Sequence, residues 1–248
     1  MVEDLTRFGP DPAILAWAKA ARVMAVRALS TTDQPLRAGG TWAVGLDLLP
    51  NAPDGSVDGV PLPWARFGLR SVALHRAQLS TIHPGYPRPS PEESPAAQAF
   101  RRNRDAAHLD GILAVGPDRR RMVKEPHGYI LGICLTEADP GASPLVVWPG
   151  SVAILRAALA AALAGHPPER WSEVDVTEAY QAARAEVFRT CPRVEVPMRP
   201  GEAVLLHRLV LHGVAPWAEG ARAAPEGRIT AYFRPVLDRV ANWLRLDL

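Results

Sequence analysis

Three side chains in this sequence have the types and spacing to hold a metal ion. His108 and Asp110 flank Leu109, an imidazole and a carboxylate at positions i and i+2. In extended backbone alternate side chains point the same way, so both groups can reach one ion. About a hundred residues later, Ala203 to Gly213 reads AVLLHRLVLHG, with two histidines five positions apart. Five is odd, so on a straight strand His207 and His212 face opposite sides and only one of them can join the pair. His212 is the better third ligand because Gly213 beside it permits a close backbone approach. Two histidines and one carboxylate make the facial triad of non-heme iron(II) oxygenases, which leaves three coordination positions open.

A second constellation narrows the chemistry. Gly227-Arg228-Ile229-Thr230 again places two polar groups at i and i+2, sixteen residues beyond His212. A guanidinium binds a carboxylate through two parallel hydrogen bonds, and a threonine hydroxyl can add a third. Such a pair suits the distal carboxylate of 2-oxoglutarate inside an apolar barrel, where an unpaired charge is costly. Arg234 lies an even six positions further on, hence on the same strand face, and stands as the alternative to Arg228 for this role.

At this point the sequence resembles the phytanoyl-CoA dioxygenase family of 2-oxoglutarate oxygenases. The resemblance rests on the order HLD, GYILGICLTEAD, PLVVWPGS, GEAVLLHRLVLHG and GRIT, and covers roughly residues 105–235. Its most specific pieces are the Trp148-Pro149-Gly150-Ser151 turn and a His-Gly pair followed by a downstream arginine. The resemblance implies that His108, Asp110 and His212 ligate iron, that Arg228 binds the cosubstrate, and that the core is a cupin-like jelly roll, the double-stranded β-helix. It also implies that O₂ is consumed and that succinate and CO₂ are released as a small molecule is hydroxylated. Related halogenases lack the carboxylate, so Asp110 argues for hydroxylation, or for a related desaturation or ring closure. The sequence departs from the family pattern at Val152, where a histidine is usual, and at Val214, where a serine is often found.

The elements expected to position these residues follow from pattern. Asp11 before Pro12 is a helix start, and Ile14, Ala18, Ala21, Ala25 and Ala28 recur at helical spacing, so a helix is expected over about 11–28. Further helices are expected over 152–164 and from 175 or 177 to 190. Short β-branched and aromatic runs between turn residues predict strands near 41–48, 65–73, 108–115, 129–135, 145–148, 194–197, 203–212 and 228–235. This is a mainly β pattern with flanking helices, read as one oxygenase domain over 1–248 with a jelly-roll core from about 40 to 236. Residues 84–95 carry five prolines and read as a surface loop that could act as a lid. His75, His83, His127 and His166 show no partner pattern and are assigned to surface or loop positions. Arg119, Arg120 and Arg121 follow a turn signal and read as a solvated loop.

Composition excludes several classes. With 48% hydrophobic and 22% charged residues, the chain can bury a sizeable core. A net charge of +2 is too small to imply nucleic-acid or membrane binding by bulk electrostatics. No apolar run reaches spanning length, and the acidic start lacks a signal-peptide pattern, so a cytoplasmic location is expected. Cys134 sits in an apolar run and reads as a buried free thiol. A small-molecule substrate is expected. The residues alone leave open a zinc-dependent hydrolase or isomerase with the same ligands, and a jelly roll that binds without turnover.

Overall fold

The computed structural model describes residues 4–245. Its elements run β1 (Leu5–Phe8), α1 (Pro12–Thr31), β2 (Trp42–Ala43), β3 (Gln78–Ile82), α2 (Pro95–Asn103), β4 (Ile112–Val115), β5 (Arg120–Val123), β6 (Tyr129–Cys134), β7 (Leu145–Val147), α3 (Ser151–Leu163), α4 (Thr177–Thr190), β8 (Val194–Val196), β9 (Ala203–His207), β10 (His212–Val214) and β11 (Arg228–Phe233). Six strands form the larger antiparallel sheet in the order β1-β9-β6-β11-β3-β2. A second sheet has the order β10-β7-β8, and β4 pairs with β5 as a hairpin. This is the mainly β, jelly-roll architecture expected, with helices outside.

Alternation sorts the larger sheet into two faces. Leu131, Ile133, Ala203, Leu205, Ile229, Ala231 and Phe233 pack outward on α1 through Ile14, Trp17, Ala18, Ala21 and Ala25. The Asp11 carboxylate caps that helix, accepting from the Ala13 and Ile14 amides at 2.8 and 3.2 Å. Residues of opposite parity, Ile130, Val204 and Leu206, face the interior between the sheets with Leu145, Val147 and Leu211. On β11 the interior positions are therefore Arg228, Thr230 and Tyr232. Helices α3 and α4 join this inner core through Leu155, Leu159 and Leu163 against Tyr180, Ala183 and Val187.

Several local expectations are corrected. Residues 65–73 form no strand: a short 3-10 turn (Trp64–Phe67) leads into irregular chain with Val72 41% exposed. The strand expected at 41–48 shrinks to Trp42–Ala43, while β1, β3 and α2 were unforeseen. The run 203–212 is two strands, not one. A turn, closed by the Val210 amide on the His207 carbonyl at 2.9 Å, ends β9 before β10 begins. His207 and His212 therefore lie in different sheets, and it is this turn, not parity along one strand, that separates them. Arg120 and Arg121 belong to β5, and Arg120 pairs with Asp175 at 2.8 Å. His127 is buried, not superficial. Cys134 is buried and free, as expected. Among the described residues, no helix is long and apolar enough to cross a membrane.

Candidate metal centre

The backbone brings His108 to His212 directly. The two residues exchange amide hydrogen bonds, His108 N to His212 O at 2.8 Å and His212 N to His108 O at 3.1 Å. The pairing is an isolated bridge, so His108 and Asp110 precede β4 and are not part of it. Extended backbone at the bridge nonetheless gives the expected alternation, with Leu109 buried in the inner core between two residues that face the cluster. The chain reaches the bridge through Asp105 and Ala106, both left-handed, at φ 54° and 51°. That bend is clamped. The Asp105 carboxylate takes two hydrogen bonds from Arg193 at 2.7 and 2.8 Å, and its carbonyl accepts from the Val214 amide at 2.8 Å. A Cβ at position 213 would lie 2.2 Å from that carbonyl oxygen, so glycine is required there.

A second clamp fixes His212 from the other side. The Trp148-Pro149-Gly150-Ser151 turn places Gly150 at φ 95° and starts α3. The Ser151 hydroxyl accepts from the Leu211 amide at 2.9 Å, and the Trp148 amide donates to the Leu211 carbonyl at 3.1 Å. Both hydrogen-bonding groups of the residue before His212 are thereby satisfied.

Ligand atoms of His108, Asp110 and His212 lie within 4.8 Å of one another. Asp110 Oδ1 is 3.3 Å from His108 Nε2 and 3.7 Å from His212 Nε2. Three ligands on one octahedral face, with bonds near 2.1 Å, sit about 3 Å apart, and the two Asp110 Oδ1 distances are already close to that spacing. Each imidazole holds its Nδ1 against a carbonyl two residues back: Ala106 at 3.0 Å for His108, Val210 at 3.1 Å for His212. That contact calls for a proton on Nδ1 and turns Nε2 toward Asp110, the orientation that a metal-binding histidine needs. Burial and the nearby His108 push His212 down to about 4, so it is neutral near pH 7. Burial works to raise Asp110, but the His108 hydrogen bond and the His212, His108 and Arg234 charges hold it well below the usual carboxylate range. Burial likewise works to lower His108, and its hydrogen bond to Asp110 outweighs this and raises it. His108 is half exposed and Asp110 and His212 are nearly buried, so the cluster opens on one side only.

Arg228 and Thr230 lie together on the inner face of β11. The guanidinium donates from Nη1 to the Thr230 hydroxyl at 2.9 Å. Arg228 is only 6% exposed, and its Nε and Nη2 are buried without a hydrogen-bond partner among the described residues. The phenol of Tyr232, raised by burial, feels the same guanidinium, a neighbour that sequence reasoning did not identify. Ile82 is the cross-strand partner of Arg228 and packs near Val214, two residues beyond His212. The same apolar cluster holds Tyr86, so the proline-rich segment contributes a buried side chain and is not wholly superficial. Arg234 is placed elsewhere, with Nη1 3.4 Å from Asp110 Oδ2.

Residues 83–218 match the phytanoyl-CoA dioxygenase (PhyH) family, just over half of the chain. The chain belongs to that family. It is accordingly a 2-oxoglutarate-dependent oxygenase that works with iron, which selects this class over the hydrolase and the non-catalytic jelly roll. The matched segment contains the His-Asp-His cluster and stops short of Arg228 and Thr230. No curated protein matches the chain. Among solved structures, the non-heme α-ketoglutarate-dependent carbocyclase SnoK from nogalamycin biosynthesis aligns with a TM-score of 0.51 at 12% identity, over 94% of this chain and 80% of that one. The iron-bound EctD from S. alaskensis aligns at 0.48 and 15% identity, over 96% and 76%. The epimerase SnoN from nogalamycin biosynthesis aligns at 0.46 and 12% identity, over 94% and 78%. At such identities the SnoK likeness speaks to the fold alone, and agrees with the jelly roll.

Proposed function

We propose that this chain hydroxylates a small molecule, with His108, Asp110 and His212 holding Fe(II) and with Arg228 and Thr230 holding the far carboxylate of 2-oxoglutarate. The balance is substrate C–H plus 2-oxoglutarate plus O₂ giving substrate C–OH, succinate and CO₂. The observation that carries the reading is the state of Arg228. A guanidinium buried in the core, with the N–H groups of its Nε and Nη2 unmatched among the described residues and a hydroxyl on Nη1, costs several kcal/mol unless an anion satisfies it. A carboxylate with two parallel acceptors matches the Nε and Nη2 edge of that guanidinium.

Iron bound here with the oxoacid would supply the oxidising power that no side chain has. The protein's own residues supply geometry and surroundings. His108 and His212 offer Nε2, each held by its Nδ1 contact, and Asp110 offers an oxygen kept ionised by its cationic neighbours. One donor face leaves the opposite positions open. Ile82, the cross-strand partner of Arg228, belongs to an apolar cluster with Tyr86, Trp42 and Val214, and low-dielectric surroundings of this kind strengthen a charge pairing. The pairing of β1 with β9 and the seating of α1 on the larger sheet support the whole chain acting as one oxygenase domain.

Turnover under ¹⁸O₂ tests the hydroxylase assignment. Purified protein with Fe(II), 2-oxoglutarate and a panel of small molecules is assayed by mass spectrometry. Hydroxylation places one labelled oxygen in the product and one in succinate. Labelled succinate beside a product that has lost hydrogens and gained no oxygen would assign desaturation or ring closure instead.

A further inference from the structure

The two oxygens of Asp110 have different neighbours. Oδ1 faces both imidazole Nε2 atoms, while Oδ2 faces the guanidinium of Arg234. We propose that Arg234 is a positioning residue for the metal centre: it engages Oδ2 and so turns Oδ1 toward the ion. This rests on the ligand assignment proposed above.

A carboxylate attached through one short side chain rotates readily, and an ion can meet either oxygen, or both. A neighbouring donor that engages one oxygen removes that freedom, as partners of metal ligands commonly do. Arg234 is well mounted for this. It follows the inner-face residue Tyr232 by two positions at the end of β11. Its own carbonyl is held by His127 Nδ1 at 3.1 Å, and the next carbonyl, that of Pro235, accepts from the Gly128 amide at 2.7 Å. His127, buried and lowered by burial, bridges to Val236 and so ties the start of β6 to this strand end. The Arg234 side chain is 17% exposed, so its field is only weakly screened. A cation beside a metal ion also repels it, which gives the inference a rival of opposite sign.

The test is titration of metal-free protein with Mn(II), read by calorimetry, alongside the thermal unfolding of the metal-free forms. Arg234→Gln is expected to bind Mn(II) at least ~10-fold more weakly than wild type at unchanged metal-free unfolding temperature. Arg234→Lys, which keeps the charge and can reach Oδ2, is expected to recover part of that loss, and serves if the glutamine variant does not fold. Equal or tighter Mn(II) binding by Arg234→Gln overturns the inference and leaves repulsion as the effect of Arg234. Equal Mn(II) binding with weakened 2-oxoglutarate binding overturns it in favour of a cosubstrate contact. Failure of wild type to bind Mn(II) would instead remove the ligand assignment on which it rests.

Discussion

Replacing Gly213 with alanine tests how tightly the backbone fixes the cluster. The new Cβ would stand 2.2 Å from the Asp105 carbonyl oxygen and 3.2 Å from the Ala107 Cα. Ordinary contact is near 3.4 Å, so the strand or the facing loop must retreat by about 1 Å, a displacement that tightly packed backbone does not absorb cheaply. Three backbone hydrogen bonds cross this seam: Val214 to Asp105, and the two between His108 and His212. At roughly 1 kcal/mol each, their loss or distortion costs about 1–3 kcal/mol. For a chain of this size that is a fall in unfolding temperature of about 2–12 °C. The same movement carries His108 and Asp110 away from His212, and on the proposed ligand assignment the loss of one ligand's geometry weakens metal binding by roughly 10–100-fold. Calorimetric titration with Mn(II) and a thermal melt measure both quantities. An alanine variant that melts and binds like wild type would refute the claim that this seam sets the cluster.

Other consequences follow from the same geometry. Arg228→Gln is expected to weaken 2-oxoglutarate binding by roughly 10–100-fold, since hydrogen bonds to a charged group contribute about 1.5–3 kcal/mol. Mn(II) affinity should hold in that variant, and normal 2-oxoglutarate affinity would remove Arg228 from the pocket. Ser151→Ala leaves the Leu211 amide buried without its acceptor, at a cost of about 1–3 kcal/mol in chemical denaturation; an unchanged midpoint would show that the turn does not hold the strand. Burial pushes the Cys134 thiol up to about 12, so at pH 8 it stays protonated as well as enclosed. Native protein treated with iodoacetamide should be modified at the partly exposed Cys191 and not at Cys134 until it is unfolded. Labelling of native Cys134 would contradict the packing of β6.

The parts of the site that could be read from the sequence were those fixed by local periodicity. His108 and Asp110 share a side because alternation holds in any extended stretch, even an isolated bridge. Gly213 was legible as a close-approach position, and Asp11 as a helix cap, because each acts within a few residues. What escaped depended on distant partners. Strand β1 reads LTRF and is defined by pairing with β9, about two hundred residues away. The apolar run 65–73 has strand composition, but no neighbouring strand accepts it. The turn after His207 contains neither glycine nor proline, so nothing in its composition announced the break between β9 and β10. Arg234 was legible as an inner-face arginine by parity with Arg228. That it meets Asp110, 124 positions earlier in the chain, is a property of the packed strands. Arg193 and Asp105 show the same limit, for their pairing across 88 positions left no mark on the local pattern of either segment.

The most direct measurement is of succinate. Wild-type protein reconstituted anaerobically with Fe(II), supplied with 2-oxoglutarate and then exposed to O₂, should release succinate and CO₂ in equal amounts. Asp110→Ala, with its metal content measured on the same sample, should retain little iron and form no succinate above the metal-free background. Iron content and succinate formation unchanged in Asp110→Ala would contradict the assignment of His108, Asp110 and His212 as the centre at which this chain works.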